Sequence, residues 1–417
     1  MLKIAILGLG DRGMNYGNLV QTATDSKITA ICEKDMERLK LGQERFHLPD
    51  TACFTDSSEF LAQERLADVM FVCTQDRDHY SNTMDALEKG YHVLVEKPVS
   101  PNPEHLKAII KKAEEKDRKV LVCHVLRYSL FYRKIKELLD SGSIGRTILI
   151  RHAENIGFWH FSHSFVRGHW HKEAETSPMI LAKCCHDMDL LYWWTGSKFR
   201  SVSSNGQLTF YTPENRPDGA ADRCCICPLN KTCLYDAKLQ YIGREDHPEP
   251  FFPWGTYAVT NTPGNENILK ALETNNYGKC VFSGENDVMD CQTAQFVFEN
   301  GVTAQFSVNG FSNENYRSTH IFGTKGEIWC NDLDETITLR EFGKEKTIFN
   351  MSLANQGYGG GHVGGDIGLV RDSIRYFSGE QMEMGNLTSI KETLESHLMA
   401  DACEKSRKLE GKLIFHE

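Results

Sequence analysis

No apolar run in this chain reaches the roughly 18 residues that a membrane-crossing helix requires. The N-terminal stretch MLKIAILGLGDRG is too short for a secretory signal, and it leads into glycines rather than a small-residue cleavage site. Basic charge is in deficit: 47 lysines and arginines stand against 57 aspartates and glutamates, a formal net charge of −10. A protein whose main task is gripping phosphate backbones carries the opposite bias. Neither a membrane nor a nucleic acid is therefore an expected partner. Internal repeats and low-complexity tracts are missing as well. What is present is 417 residues, 40% hydrophobic and 25% charged, enough for two domains that bury substantial cores. Fourteen cysteines spread over that length suit reduced thiols in a cytoplasm.

The first third alternates strand and helix. Short apolar runs at 2–7, 27–32, 68–73, 91–95 and 119–123 are separated by helical patterns, the rhythm of a doubly wound parallel sheet with right-handed crossovers. After Gly145 the rhythm changes. A strand at 147–152 precedes a loop rich in His, Trp and Ser, and a helix is expected over 181–194, stopped by Gly196. Strands are expected at 279–283, 293–299, 302–308, 317–322 and 336–342, with Glu299-Asn300-Gly301 as a tight hairpin. Helices at 367–377 and 389–407 follow. The predicted fold is α/β: a Rossmann domain over 1–125, then an α+β domain over 126–417 built on a largely antiparallel open sheet. An irregular, cysteine-containing insertion falls at about 211–275.

Gly8-Leu9-Gly10-Asp11-Arg12-Gly13 is a GxGxxG turn between the first strand and first helix. Its glycines allow a tight turn and close approach to a pyrophosphate seated on the helix N-terminus, with Asp11 and Arg12 of the same turn expected against the cofactor. Glu33, at the end of the second strand and 20 residues past Gly13, is positioned to accept from the adenosine ribose hydroxyls. A carboxylate there repels a 2′-phosphate, so the expected cofactor is NAD rather than NADP.

At Glu96-Lys97-Pro98, just past the fourth strand, the chain resembles the glucose–fructose oxidoreductase and inositol dehydrogenase family (Gfo/Idh/MocA), and the resemblance spreads over nearly the whole length. Cys73-Thr74-Gln75 followed by His79 looks like that family's turn along the cofactor. The segment 123–128 looks like its domain junction, which implies His124 and Arg127 at the cofactor, and LAKCCHDMDLLYWWTG over 181–196 looks like its catalytic helix. The resemblance implies hydride transfer between a nicotinamide and a ring hydroxyl of a sugar, glycoside or cyclitol, in a homo-oligomer. It implies Lys97 at the reacting oxygen, His186 as proton acceptor and Asp189 as a substrate contact. Glu96 reads more readily as holder of the turn than as catalyst. The chemistry suits these residues: removing hydride from an alcohol needs a base on its hydroxyl and a cation beside the developing alkoxide.

The family's Asp four residues before the histidine is here Ala182, and Lys183 stands next to it. Lys183 is either a substrate ligand or an outward-facing lysine. The altered pair keeps open an alternative, an NAD-dependent glycoside hydrolase or lyase working by transient oxidation, elimination and re-reduction. The aromatic and histidine-rich loop 158–171 suits a carbohydrate, with Arg167 and Trp170 as contacts. A glycine-rich segment at 359–366 is either a plain connection or a loop that brings His362 over the pocket. Finally, Cys224, Cys227 and Cys233 have the spacing of three zinc thiolates, with Cys280 as a candidate fourth ligand. Free thiols or a disulfide are the competing readings.

Overall fold

The computed structural model describes residues 1–352 and 362–416. Six parallel strands form the first sheet: β1 (Leu2–Leu7), β2 (Ser26–Cys32), β3 (Cys53–Phe54), β4 (Val69–Val72), β5 (His92–Val95) and β6 (Val120–Val122). Their order is β3-β2-β1-β4-β5-β6, the doubly wound arrangement whose strand order reverses beside β1. β1 and β4 are buried on both faces, as their unbroken apolar runs require. The two-residue β3 is too short to leave a periodic signal, and the sequence did not reveal it.

The second sheet has nine strands among the described residues. They are β7 (Thr147–Gly157), β8 (Phe199–Gln207), β9 (Cys291–Phe298), β10 (Thr303–Ser312), β11 (Tyr316–Gly323), β12 (Gly326–Asn331), β13 (Thr336–Glu341), β14 (Thr347–Asn350) and β15 (Ile414–Phe415). The order is β14-β13-β12-β11-β7-β10-β9-β8-β15. Every neighbour pair is antiparallel except β7 and β10, which run parallel at the centre. Two expectations fail. Residues 279–283 form turns, with Lys279 making only an isolated bridge to Arg223. The single helix expected over 181–194 is two helices, Met179–Ala182 and Cys185–Thr195.

The insertion is held by means other than a metal. Among the described residues no three His, Cys, Asp or Glu side chains gather as a metal-holding group, so the zinc expected from Cys224, Cys227 and Cys233 has no site here. Three short helices, Ala237–Tyr241, Thr256–Val259 and Asn265–Leu272, close over a separate apolar cluster of Tyr241, Phe252, Val259, Ile268, Leu272 and Tyr277. Arg167 stitches it in place. Its guanidinium donates to the Lys279 and Tyr235 carbonyls at 2.8 and 2.7 Å and to Cys224 Sγ at 3.4 Å. Buried to 3% exposure, Arg167 is a tie-rod of the insertion and not the substrate contact expected from the sequence.

The last long helix, Ile390–Lys408, returns to the first sheet. Ile390 enters the apolar cluster on one face of that sheet, while Met399, Ala400 and Cys403 join the large core shared with the second domain. Just before it, Thr388 and Ser389 lie along β6. No helix among the described residues is long and apolar enough to cross a membrane.

Candidate active site

Gly8, Glu33, Cys73, Glu96 and Cys123 each directly follow a strand of the first sheet, at the carboxyl edge where such sheets bind ligands. Gly8 has φ 94°, and a Cβ there would lie 2.6 Å from the Cys73 carbonyl oxygen; one on Gly13 would lie 2.0 Å from the Gly8 carbonyl. Gly10 is different. Nothing lies within 4 Å of its Cβ position, and the helix Asp11–Thr22 that it caps has no side chain accepting from its first amides. That is an open cradle facing helix-terminal N–H groups, as a pyrophosphate needs. Glu33 Oε2 accepts from the Leu9 amide at 2.6 Å and Oε1 from the Asp35 amide at 3.0 Å, which fixes its carboxylate beside the cradle. These residues fit a dinucleotide.

Arg12, expected to touch the cofactor, has its side chain engaged elsewhere. It donates to Glu96 Oε1 at 3.0 Å and to Asp366 at 2.6 and 3.2 Å. Tyr16 also donates to Glu96 Oε1, at 2.7 Å. The other oxygen of Glu96 accepts from the Lys97 amide at 2.9 Å, so Glu96 holds the turn that presents Lys97. Burial pushes the Glu96 carboxyl up, but Arg12, Lys97 and Tyr16 outweigh it and keep it below the usual carboxylate range. His79 pins the neighbouring turn, its two ring nitrogens lying 2.7 Å from the Pro98 carbonyl and 2.9 Å from the Thr74 carbonyl. Thr74 Oγ1 accepts from Asn82, and Gln75 precedes the short turn Asp76–Asp78.

The Lys97–Pro98 peptide is cis, and Lys97 Nζ donates to the Ala182 carbonyl at 3.0 Å. The helix break supplies this acceptor: the first helix ends at Ala182, and the second starts anew from Cys184, whose carbonyl takes the amides of Asp187 and Met188 at 3.0 and 2.9 Å. His186 opens the second helix, 4% exposed, with Nδ1 lacking any hydrogen-bond partner. The rings of His124 and His362 stand 5.7 and 5.9 Å from it. Burial, then Lys97, His124 and His362, push its imidazole well below the usual histidine range. It is therefore an uncharged, proton-accepting ring at neutral pH.

Asp189 does not face that base. Both its oxygens are taken by Arg127, Nε at 2.7 Å and Nη2 at 2.8 Å, and the two side chains are 1% and 0% exposed. The substrate contact expected of Asp189 and the cofactor contact expected of Arg127 are replaced by one buried pair, because a desolvated carboxylate demands a partner. His124 is wholly buried with neither ring nitrogen partnered, and burial with Arg127 and Lys97 pushes it down to about 3. Trp170 donates its indole N–H to Asp76 at 3.2 and 3.3 Å, which brings the aromatic loop against the cofactor-side turn.

Lys183 faces inward, its ammonium 3.4 Å from Glu154 Oε1. Glu154 also pairs with Arg317 at 2.7 Å, and Arg317 holds Asp187 at 2.7 Å. Asp187, the residue after His186, is further bound by His152 at 2.9 Å. These four were missed from the sequence. The signal lay in β7, where His152 and Glu154 share the inward parity of Ile150 and Ile156; the strand as read stopped short of Glu154.

Comparison with known proteins agrees with this geometry. The model for the NAD-binding Rossmann fold of an oxidoreductase family matches residues 2–124, and the model for that family's C-terminal alpha/beta domain matches residues 136–412. YteT of Bacillus subtilis is 25% identical over 398 residues, covering 89% of this chain and 88% of YteT. The inositol 2-dehydrogenase/D-chiro-inositol 3-dehydrogenase of Lacticaseibacillus casei is 26% identical over 226 residues, 53% of this chain and 60% of that enzyme. A levoglucosan dehydrogenase solved with NADH and levoglucosan superimposes with a TM-score of 0.71 at 16% identity, over 99% of each chain.

Proposed function

The chain belongs to the Gfo/Idh/MocA oxidoreductase family, and from that membership we propose that it is an NAD-preferring dehydrogenase of a ring hydroxyl on a sugar, glycoside or cyclitol. Bound NAD would supply the hydride acceptor. His186 takes the hydroxyl proton as the C–H bond breaks. Lys97 hydrogen-bonds the same oxygen and offsets the charge that develops on it. The observation that carries this reading is the Lys97–Ala182 contact, which brings an ammonium close enough to act electrostatically on a buried, uncharged imidazole.

Trp170 is read as an apolar face, and Lys183 with Glu154 as polar contacts, for the substrate. The names of the inositol and levoglucosan enzymes support a carbohydrate. Glu33 supports NAD over NADP, because it would stand where a 2′-phosphate must go. Residues 1–125 are read as the nucleotide domain and 126–417 as the substrate domain. Ile148, Trp329 and Ile348, exposed on strands of the second sheet, support self-association through that sheet. Cysteines that are free thiols throughout support a reducing, cytoplasmic setting.

The test is a panel of sugars, cyclitols and aryl glycosides incubated with purified protein and NAD, following NADH absorbance and the glycosidic bond together. NADH accumulating with a ketone product is expected. Cleaved glycoside without net NADH would replace this reading with the redox hydrolase.

A further inference from the structure

We infer that His362 is the outlet for the proton that His186 takes from substrate, passing it to solvent at each turnover. The inference rests on the dehydrogenase reading above. A buried base must be emptied before it can act again, and two imidazoles stand beside His186. One leads nowhere. His124 is fully buried, and its next neighbour is His397, 6.1 Å away and 1% exposed. His397 Nε2 already accepts from the Val99 amide at 3.0 Å, and Nδ1 faces the Thr393 carbonyl at 3.1 Å. Both nitrogens of that ring are spent, so it has no site for an arriving proton.

His362 is built differently. Its side chain is 36% exposed, and its Nδ1 lies 3.3 Å from Asp366 Oδ2, so an imidazolium forming there meets a carboxylate. Asp366 is anchored by Arg12 at 2.6 and 3.2 Å and by Asn15 at 3.3 Å. Burial alone would raise its carboxyl, yet His362 and Arg12 hold it well below the usual range, hence ionised. Burial pushes the His362 imidazole below the usual histidine range; Asp366 pulls it up, while Arg12 and Lys183 push it down, and His160 interacts with its ring as well. Both cations favour release of the proton once it has arrived.

The backbone supports the same conclusion. His362, Val363 and Gly364 have φ of 56°, 53° and 76°, three consecutive residues in a region that non-glycine side chains disfavour. The Ser129 hydroxyl holds this bend by donating to the Val363 carbonyl at 2.8 Å. Strain kept in place beside a reactive group is a mark of an aimed side chain. The balance is simple: the substrate C–H gives a hydride to NAD, its O–H proton goes to His186, then to a His362 nitrogen, then to water. Both rings return to their starting state.

Asparagine tolerates left-handed backbone, so His362→Asn should fold, and His362→Gly leaves room for added imidazole. Stopped-flow with a pH indicator and NADH absorbance should show proton release in step with NADH in the wild type. In His362→Asn the proton should lag, kcat should fall about tenfold or more, and the solvent deuterium isotope effect on kcat should rise, with NADH binding kept. Imidazole should restore His362→Gly. Unchanged kcat with synchronous proton release overturns the inference, as does a loss that imidazole cannot restore and that tracks weakened NADH binding through Asp366 and Arg12. A wild type that makes no NADH on any sugar fails at the dehydrogenase reading itself and takes this inference with it.

Discussion

The ammonium of Lys97 donates to the carbonyl of Ala182 at 3.0 Å, so a lysine of the first sheet is held by the residue at which a helix of the second domain stops. Lys97→Ala should therefore lower kcat by roughly a hundredfold or more while NADH still binds. Lys97→Arg should not restore the rate, because a planar guanidinium cannot reproduce an ammonium's geometry at one carbonyl and one substrate oxygen. Steady-state rates and NADH fluorescence titration check both; a rate within threefold of wild type would remove Lys97 from the chemistry.

Gly10 and Gly13 should part company when each is changed to alanine. At Gly13 the new Cβ meets the Gly8 carbonyl at 2.0 Å, so Gly13→Ala should lower the melting temperature. At Gly10 there is open space, so the melting temperature should hold while NAD affinity drops about tenfold, worth about 1.4 kcal/mol. Thermal scans with and without NAD separate the two. Equal NAD affinity for Gly10→Ala would mean the pyrophosphate lies elsewhere.

Asp189→Ala should destabilise the fold by roughly 3–5 kcal/mol, since it strands the fully buried Arg127. Replacing both partners with apolar residues of similar volume should recover much of that loss. Urea denaturation measures each variant. If Asp189→Ala kept full stability and raised only the substrate KM, its carboxylate would belong to the substrate after all.

Acidification should weaken the fold well above the carboxylate range. Burial pushes His124, His163 and His397 each down to about 3, against about 6.5 in the unfolded chain. Between those values the unfolded state binds the extra protons. Stability is thus complete above about pH 6.5 and is lost as pH falls toward 3, at up to about 1.4 kcal/mol per pH unit for each ring. Urea midpoints at pH 7.5 and 5.5 check the sign; a higher midpoint at 5.5 would contradict it.

The first sheet was nearly readable from residues alone, because strands buried on both faces announce themselves as unbroken apolar runs. Glu33 and the glycine turn followed from their places at strand ends, and the Lys97 turn from its likeness to the family's motif. The second domain was less legible where long-range partners decide the outcome. Nothing in LAKCCHDMDL signals that the helix breaks after Ala182, where a carbonyl is left to meet Lys97 from 85 residues upstream. The resemblance assigned Asp189 and Arg127 to ligands, and a chain does not show which of its charges cancel one another. The cysteines of the insertion had metal-like spacing, yet Arg167 and an apolar cluster do the holding.

β6 is the outermost strand of the first sheet, and its free side is covered from the far end of the chain. The Val122 amide donates to the Thr388 carbonyl at 2.8 Å, and the Thr388 hydroxyl donates back to the Val122 carbonyl at 2.5 Å. A fragment cut after residue 125 would bare that row of backbone groups and invite pairing with other copies. The nucleotide-binding portion is thus no transplantable cassette: borrowing it for another enzyme means carrying the last thirty or so residues along, or designing a new lid for the strand they cover.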